Sequence, residues 1–227
     1  MNFLHGRSMV VTKPQQIVRG MAIVLGVAIL TACQLPVVQQ TKPTPPAAAQ
    51  VETANGEIET ITPLAVAQAL PPVLFQLPEL DIEFRVVPMG WTIVEKEGAR
   101  TTQWVVPADA AGWHVNSAGA GAAGNTILSG HQAVGEAVFA PLALGEIQVG
   151  QQILLTAEDG TVYAYQVTDV SQPIPIVGAT ESDKQQAAAY TAPSDEPKLT
   201  LITGWPDFST THRIFAVAEL AGRVTTK

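Results

Sequence analysis

The chain has a single cysteine, Cys33, among its 227 residues. One cysteine cannot pair with itself, so no internal disulfide can staple the fold, although small exported domains often rely on such staples. Stability must come from an apolar core, and a hydrophobic content of 47% over this length permits one. Positive charge is also scarce: 12 Lys and Arg face 20 Asp and Glu, a net −8. That balance repels phosphate backbones and argues against a nucleic-acid partner. The apolar run at residues 21–30 (MAIVLGVAIL) is too short to span a bilayer, which needs about 20 apolar residues. No internal repeat is visible.

What is present begins with a basic N-terminus. Residues 1–19 carry Arg7, Lys13 and Arg19 and no acidic residue. A basic start, a short apolar core and small residues after it describe a secretory signal peptide over residues 1–32. The core ends in Leu30-Thr31-Ala32-Cys33, which resembles the lipobox of bacterial lipoproteins. That resemblance implies cleavage before Cys33, a diacylglyceryl group on its thiol, and a chain held on the outer face of the bacterial cytoplasmic membrane, in the cell envelope. The mature chain loses three basic residues and no acid, leaving nine against 20, a net −11.

Residues 33–80 read as a tether. Pro36, Pro43, Pro45 and Pro46 stand among Gln, Thr and Ala, a composition that buries little apolar surface and suits a Pro/Ala/Gln-rich linker. Near its far end Thr62 can cap and Pro63 can open a short helix over 64–70 before Pro71-Pro72 stops it. Such a helix either packs on the following domain or remains part of the tether.

From about Asp81 to Lys227 the texture changes to short apolar runs separated by Gly, Pro, Asn and Asp. Runs at 91–94, 104–106, 125–129, 152–156, 162–170, 199–203 and 214–219 read as strands. Glu158-Asp159-Gly160 makes a hairpin turn between two of them. In Tyr163-Ala164-Tyr165-Gln166-Val167 the odd positions are bulky and the even ones small or polar, the period of a half-buried strand. Many short strands at regular spacing predict a mostly all-β fold, a barrel or sandwich, with short helices in its loops. Residues 184–190 (KQQAAAY) fit one or two helical turns in a crossing loop.

Three passages carry the candidate chemistry. One strand runs through Asn125 into Gly130-His131, a second runs through Leu199–Thr203 into Gly204-Trp205-Pro206, and a third opens on His212-Arg213. Together they resemble the sortase domain, whose elements are a "GN…GH" strand, a "TL.TC" strand and an arginine several residues later. The segments 138–142 (VFAPL) with 150–153 (GQQI), and 159–165 (DGTVYAY), resemble the same family's flanking motifs. Trp205-Pro206 and the His-Arg pair are most similar to classes D, E and F. The resemblance covers about residues 81–220. It implies a closed β-barrel and a cysteine transpeptidase that cuts a sorting motif in a secreted protein and joins it to an amine. His131 is then the histidine that assists the thiol, and Arg213 the arginine that holds the oxyanion or substrate.

At the nucleophile's own position this chain has Gly204. Glycine cannot form a thioacyl intermediate, and members of a catalytic unit fail together. Thr203, Ser209, Thr210 and Thr211 bring hydroxyls nearby, but none stands at that position. The expectation is therefore a pseudo-sortase that binds an extended peptide or C-terminal sorting motif, or scaffolds surface proteins. The alternative is an active transpeptidase or peptidase whose nucleophile is a non-cysteine group or comes from a partner. His114 and His212 read as surface or packing residues, and Trp91 and Trp205 as core or rim. Scattered histidines without ligand spacing imply no metal, and nothing implies a cofactor.

Overall fold

Short apolar runs between turn residues set most of the strands, with period-2 alternation clearest in Ile82–Met89 and Val162–Val170. The computed structural model describes residues 57–63, 69–96 and 98–225. The expected signal peptide, Cys33 and residues 64–68 of the expected short helix lie outside the described residues. The strands are β1 (Glu57–Glu59), β2 (Pro72–Leu77), β3 (Ile82–Met89), β4 (Trp91–Lys96), β5 (Ala99–Trp104) and β6 (Ala111–His114). They continue as β7 (Asn125–Ser129), β8 (Gln152–Ala157), β9 (Val162–Val170), β10 (Ile174–Pro175), β11 (Lys198–Trp205) and β12 (His212–Thr225). Two short helices, α1 (Ala140–Ala143) and α2 (Glu181–Thr191), lie in the loops.

Eight strands close into a barrel. The order is β12-β11-β7-β6-β3-β2-β8-β9, and β9 pairs back on β12. Closure leaves none of these eight strands at an edge, while β1 and β10 each pair with β12 outside the ring. Two of the junctions, β11 with β7 and β3 with β6, are parallel; the others are antiparallel. β12 can serve several neighbours because it is 14 residues long and shifts register between Leu220 and Gly222. Inside lie Phe75, Leu77, Leu128, Phe139, Leu142, Ile153, Leu155, Tyr165, Leu199 and Leu201, all nearly inaccessible to water. The Tyr165 hydroxyl accepts a 2.8 Å hydrogen bond from the Gly121 N–H, and burial pushes its phenol up to about 12.

The expected hairpin at Glu158-Asp159-Gly160 is present, with Gly160 at φ +84°. Two strands, β1 and β2, precede Asp81. The β2 run Val73-Leu74-Phe75-Gln76-Leu77 buries Phe75 and Leu77 between β3 and β8, although prolines bracket it. The strand expected at 104–106 instead runs from Ala99 to Trp104 and pairs with β4 as a separate two-stranded sheet. The expected turns at 184–190 belong to α2, which starts on a capping box: Thr180 Oγ accepts from the Asp183 N–H, and the Asp183 carboxylate accepts from the Thr180 N–H. α2 buries no residue completely. It rests on the barrel through Tyr190, whose ring stacks on Phe215 at 4.7 Å and 7°, and whose hydroxyl donates to Asp169.

Candidate functional site

The three strands singled out by sequence are neighbours. β7, β11 and β12 lie side by side, with Ile202 opposite Ser129 and Gly204 opposite Arg213. Core residues such as Leu128, Leu201 and Ile214 turn inward, so the alternate residues Ile127, Ser129, Ile202, Gly204, Arg213 and Phe215 turn outward. These six line a cleft of about 1150 Å³, walled on one side by the β4–β5 hairpin and on another by Ala187, Ala188 and Thr191 of α2. His131 lines the same cleft, so His131, Gly204 and Arg213 are brought together at it.

His131 lies two residues beyond the end of β7, after Gly130. The Gly130 N–H donates to the Ile202 carbonyl at 3.2 Å, and Thr203 Oγ1 donates to the Gly130 carbonyl at 2.8 Å. Gly130 itself admits no side chain: a Cβ there would meet Val138 Cγ2 at 2.5 Å and the Phe139 ring at 2.7 Å. The His131 ring is tied to backbone, with Nε2 3.2 Å from the Val106 carbonyl. A carbonyl only accepts, so in this contact Nε2 carries a proton and donates.

The space beside Gly204 is filled. A Cβ added there would meet Gln132 Nε2 at 2.5 Å, Gln132 Cδ at 2.8 Å and Thr210 Oγ1 at 2.8 Å. Gln132 is buried, and its Nε2 donates to the Ser209 carbonyl at 3.1 Å and to Thr210 Oγ1 at 2.8 Å. The side-chain amide thus clasps the 206–211 loop across the position where a thiol would have to stand. Sequence reasoning missed Gln132, because its meaning comes from a contact with residues far away in the chain.

Arg213 is half-buried, and desolvation pulls its guanidinium below the ordinary arginine value. Among the described residues it makes no side-chain hydrogen bond or ion pair. No fully buried side-chain nitrogen or oxygen among them lacks a partner, so its unpaired donors have access to the cleft. The charge is one-sided. Among the described residues, Lys96 and Arg213 line the cleft and no Asp or Glu does, in a chain where acids outnumber bases. A negatively charged ligand group is the electrostatic match.

His114 is buried as a packing residue on β6, its ring 4.2 Å from that of Trp104, and its Nε2 stands 2.8 Å from Ser129 Oγ. Burial lowers its pKa to about 4. His212 packs edge-on against Trp205 at 5.3 Å and bonds Thr211 Oγ1. Trp91 is half-exposed on the hairpin, edge-to-face with Trp104. No group of three or more His, Cys, Asp or Glu side chains converges on a common point among the described residues.

A family model described as the sortase domain matches residues 75–221. No curated protein matches the chain. Among solved structures it is similar to sortase E1 from Streptomyces coelicolor with a tripeptide in the active site, at 15% identity and a TM-score of 0.49, covering 70% of this chain and 92% of that one. It is also similar to sortase A from Listeria monocytogenes, at 23% identity and a TM-score of 0.48 with the same coverages. A lid mutant of sortase A from Corynebacterium diphtheriae gives 18% identity, a TM-score of 0.48, and coverages of 71% and 75%.

Proposed function

This chain belongs to the sortase family, and on that footing we propose that its cleft binds an extended peptide ending in a carboxylate and does not cut it. The observation that carries this reading is the filled space at Gly204, where Gln132 and Thr210 stand in place of a nucleophile. His131 has no thiol to serve, and its Nε2 donates to the Val106 carbonyl. Arg213 keeps a forked set of donors with no protein partner among the described residues, suited to a carboxylate. Ile127, Ile202 and Phe215 supply an apolar floor for side chains upstream of that end.

The reading is tested by incubating the protein with sorting-motif peptides and an amine acceptor. No cleavage and no ligated product are expected. Turnover that disappears in His131→Ala overturns it.

A second reading, catalysis by a hydroxyl, rests on Ser129 Oγ beside His114 Nε2 in the same cleft. A histidine whose pKa has fallen to about 4 is a weak base, which places this reading second. A covalent acyl adduct on Ser129, found by mass spectrometry after long exposure to peptide, would reverse the order.

Attachment to the envelope through a lipid on Cys33 remains a proposal from the sequence alone. No helix among the described residues is long and apolar enough to cross a membrane. Metabolic labelling with a radioactive fatty acid tests the anchor, with label expected on the wild type and absent from Cys33→Ser.

A further inference from the structure

The β4–β5 hairpin forms a sheet of its own, and among the described residues the two strands pair only with each other. Each therefore keeps one unpaired edge. The cleft reveals which edge faces it. β4 contributes only Thr92, Val94 and Lys96, alternate residues that share one face. β5 and its continuation contribute every residue from Thr101 to Val106. A strand that lines a cleft with both alternations lies along it edge-on.

Hydrogen bonds give the same answer independently. The Val105 N–H donates to the Gly90 carbonyl, so position 105 turns its backbone toward β4. In an antiparallel pair this direction repeats every second residue, so Gln103 and Thr101 also face β4, while Thr102, Trp104 and Val106 face away. The one outward carbonyl with a partner agrees with that alternation: Val106 accepts from His131 Nε2, across the cleft. The outward N–H and C=O groups of Thr102 and Trp104 have no backbone or side-chain partner among the described residues.

We propose that the peptide is held by strand addition: it lies in the cleft as a third strand of the hairpin, hydrogen-bonded to the outward backbone groups of Thr102 and Trp104. The proposal deepens the peptide-binding reading and rests on it. The occupant is an extended peptide with a free C-terminal carboxylate, because an unpaired edge takes any backbone and, among the described residues, the Lys and Arg side chains at the cleft, Lys96 and Arg213, face no Asp or Glu there. β5 leads through Val106 to His131, beside Gly204 and Arg213. With its carboxylate on Arg213, the peptide therefore runs parallel to β5. Main-chain bonds supply affinity without sequence choice, and the apolar floor at Ile127, Ile202 and Phe215 selects alternate side chains.

The test uses the described domain in its full chain and a defined probe, acetyl-Val-Thr-Val-Thr-Leu-Thr-Gly with a free carboxylate. Amide hydrogen exchange is read residue by residue. In the free protein Thr101 and Gln103 are protected and Thr102 and Trp104 exchange fast. At saturating peptide Thr102 and Trp104 slow by about tenfold or more. Thr102→Pro removes an outward N–H and leaves the bonds to β4 in place, so it weakens the peptide by about tenfold. The exchange readout on the wild type stands even if that variant folds poorly.

Peptide that binds while Thr102 and Trp104 stay unprotected overturns strand addition and leaves the peptide-binding reading intact. Protection of those amides in free protein that grows with protein concentration shows that a second copy takes the edge, and also overturns the proposal. Failure of the probe to bind at millimolar concentration overturns both.

Discussion

Gln132 Nε2 lies 2.8 Å from Thr210 Oγ1, across the point that a side chain on Gly204 would occupy. No unusual backbone conformation calls for glycine at 204, since its φ lies outside the positive range. The constraint is space, and the space is held by the end of a flexible side chain. Gly204→Cys is therefore sterically possible only if Gln132 swings away and gives up its bonds to Ser209 and Thr210. The variant is expected to lose about 1–3 kcal/mol of stability in urea denaturation, the usual effect of unmaking buried hydrogen bonds. Adding Gln132→Ala to it should cost little more, because the same contacts are already gone. Full wild-type stability of the single variant would show that the clasp is unimportant.

On the proposed reading, ligand affinity depends most on Arg213. Arg213→Ala is expected to weaken a carboxylate-ended peptide by roughly 10- to 100-fold in fluorescence anisotropy, in line with a charge-assisted, bidentate contact. Arg213→Lys should recover only part, since an ammonium keeps the charge and loses the fork. Amidation of the peptide's C-terminus should match the Arg213→Ala loss and add nothing to it in that variant.

His114 sets a pH dependence. Its folded pKa of about 4 lies below the ordinary histidine value of 6.5, so the unfolded chain binds the proton more readily. Stability contributed by neutral His114 is complete above about pH 6.5 and is lost as pH falls toward 4. Between pH 7 and pH 5 the loss is about 2 kcal/mol. His114→Gln should flatten that part of the stability profile while keeping a partner for Ser129 Oγ. An unchanged profile in the variant would assign the acid sensitivity to another group.

Much of the barrel was legible because its strands carry strong apolar runs. Strands β7 and β9 end where the residue pattern places them, and the turn at Gly160 lies where Asp159-Gly160 calls for it. The hairpin β4–β5 was only half visible. Residues 95–103 (EKEGARTTQ) carry no alternating apolar face, since the hairpin projects away from the core. β2 was hidden because it follows Pro71-Pro72, which read as a helix stop, and falls within residues 33–80, which read as a linker, while Phe75 and Leu77 in fact fill the barrel. The candidate residues His131, Gly204 and Arg213 stood out through their motif. Gln132 and the outward edge of β5 did not, because both acquire meaning only through contacts between segments distant in sequence.

The central claim is that the cleft holds a peptide without cutting it. The most direct measurement is a calorimetric titration of a carboxylate-ended sorting-motif peptide, followed by mass analysis of the peptide recovered from the cell. The account predicts saturable binding that Arg213→Ala weakens, with all of the peptide recovered at its original mass. Cleaved or ligated peptide, absent when His131 is replaced by Ala, would contradict it.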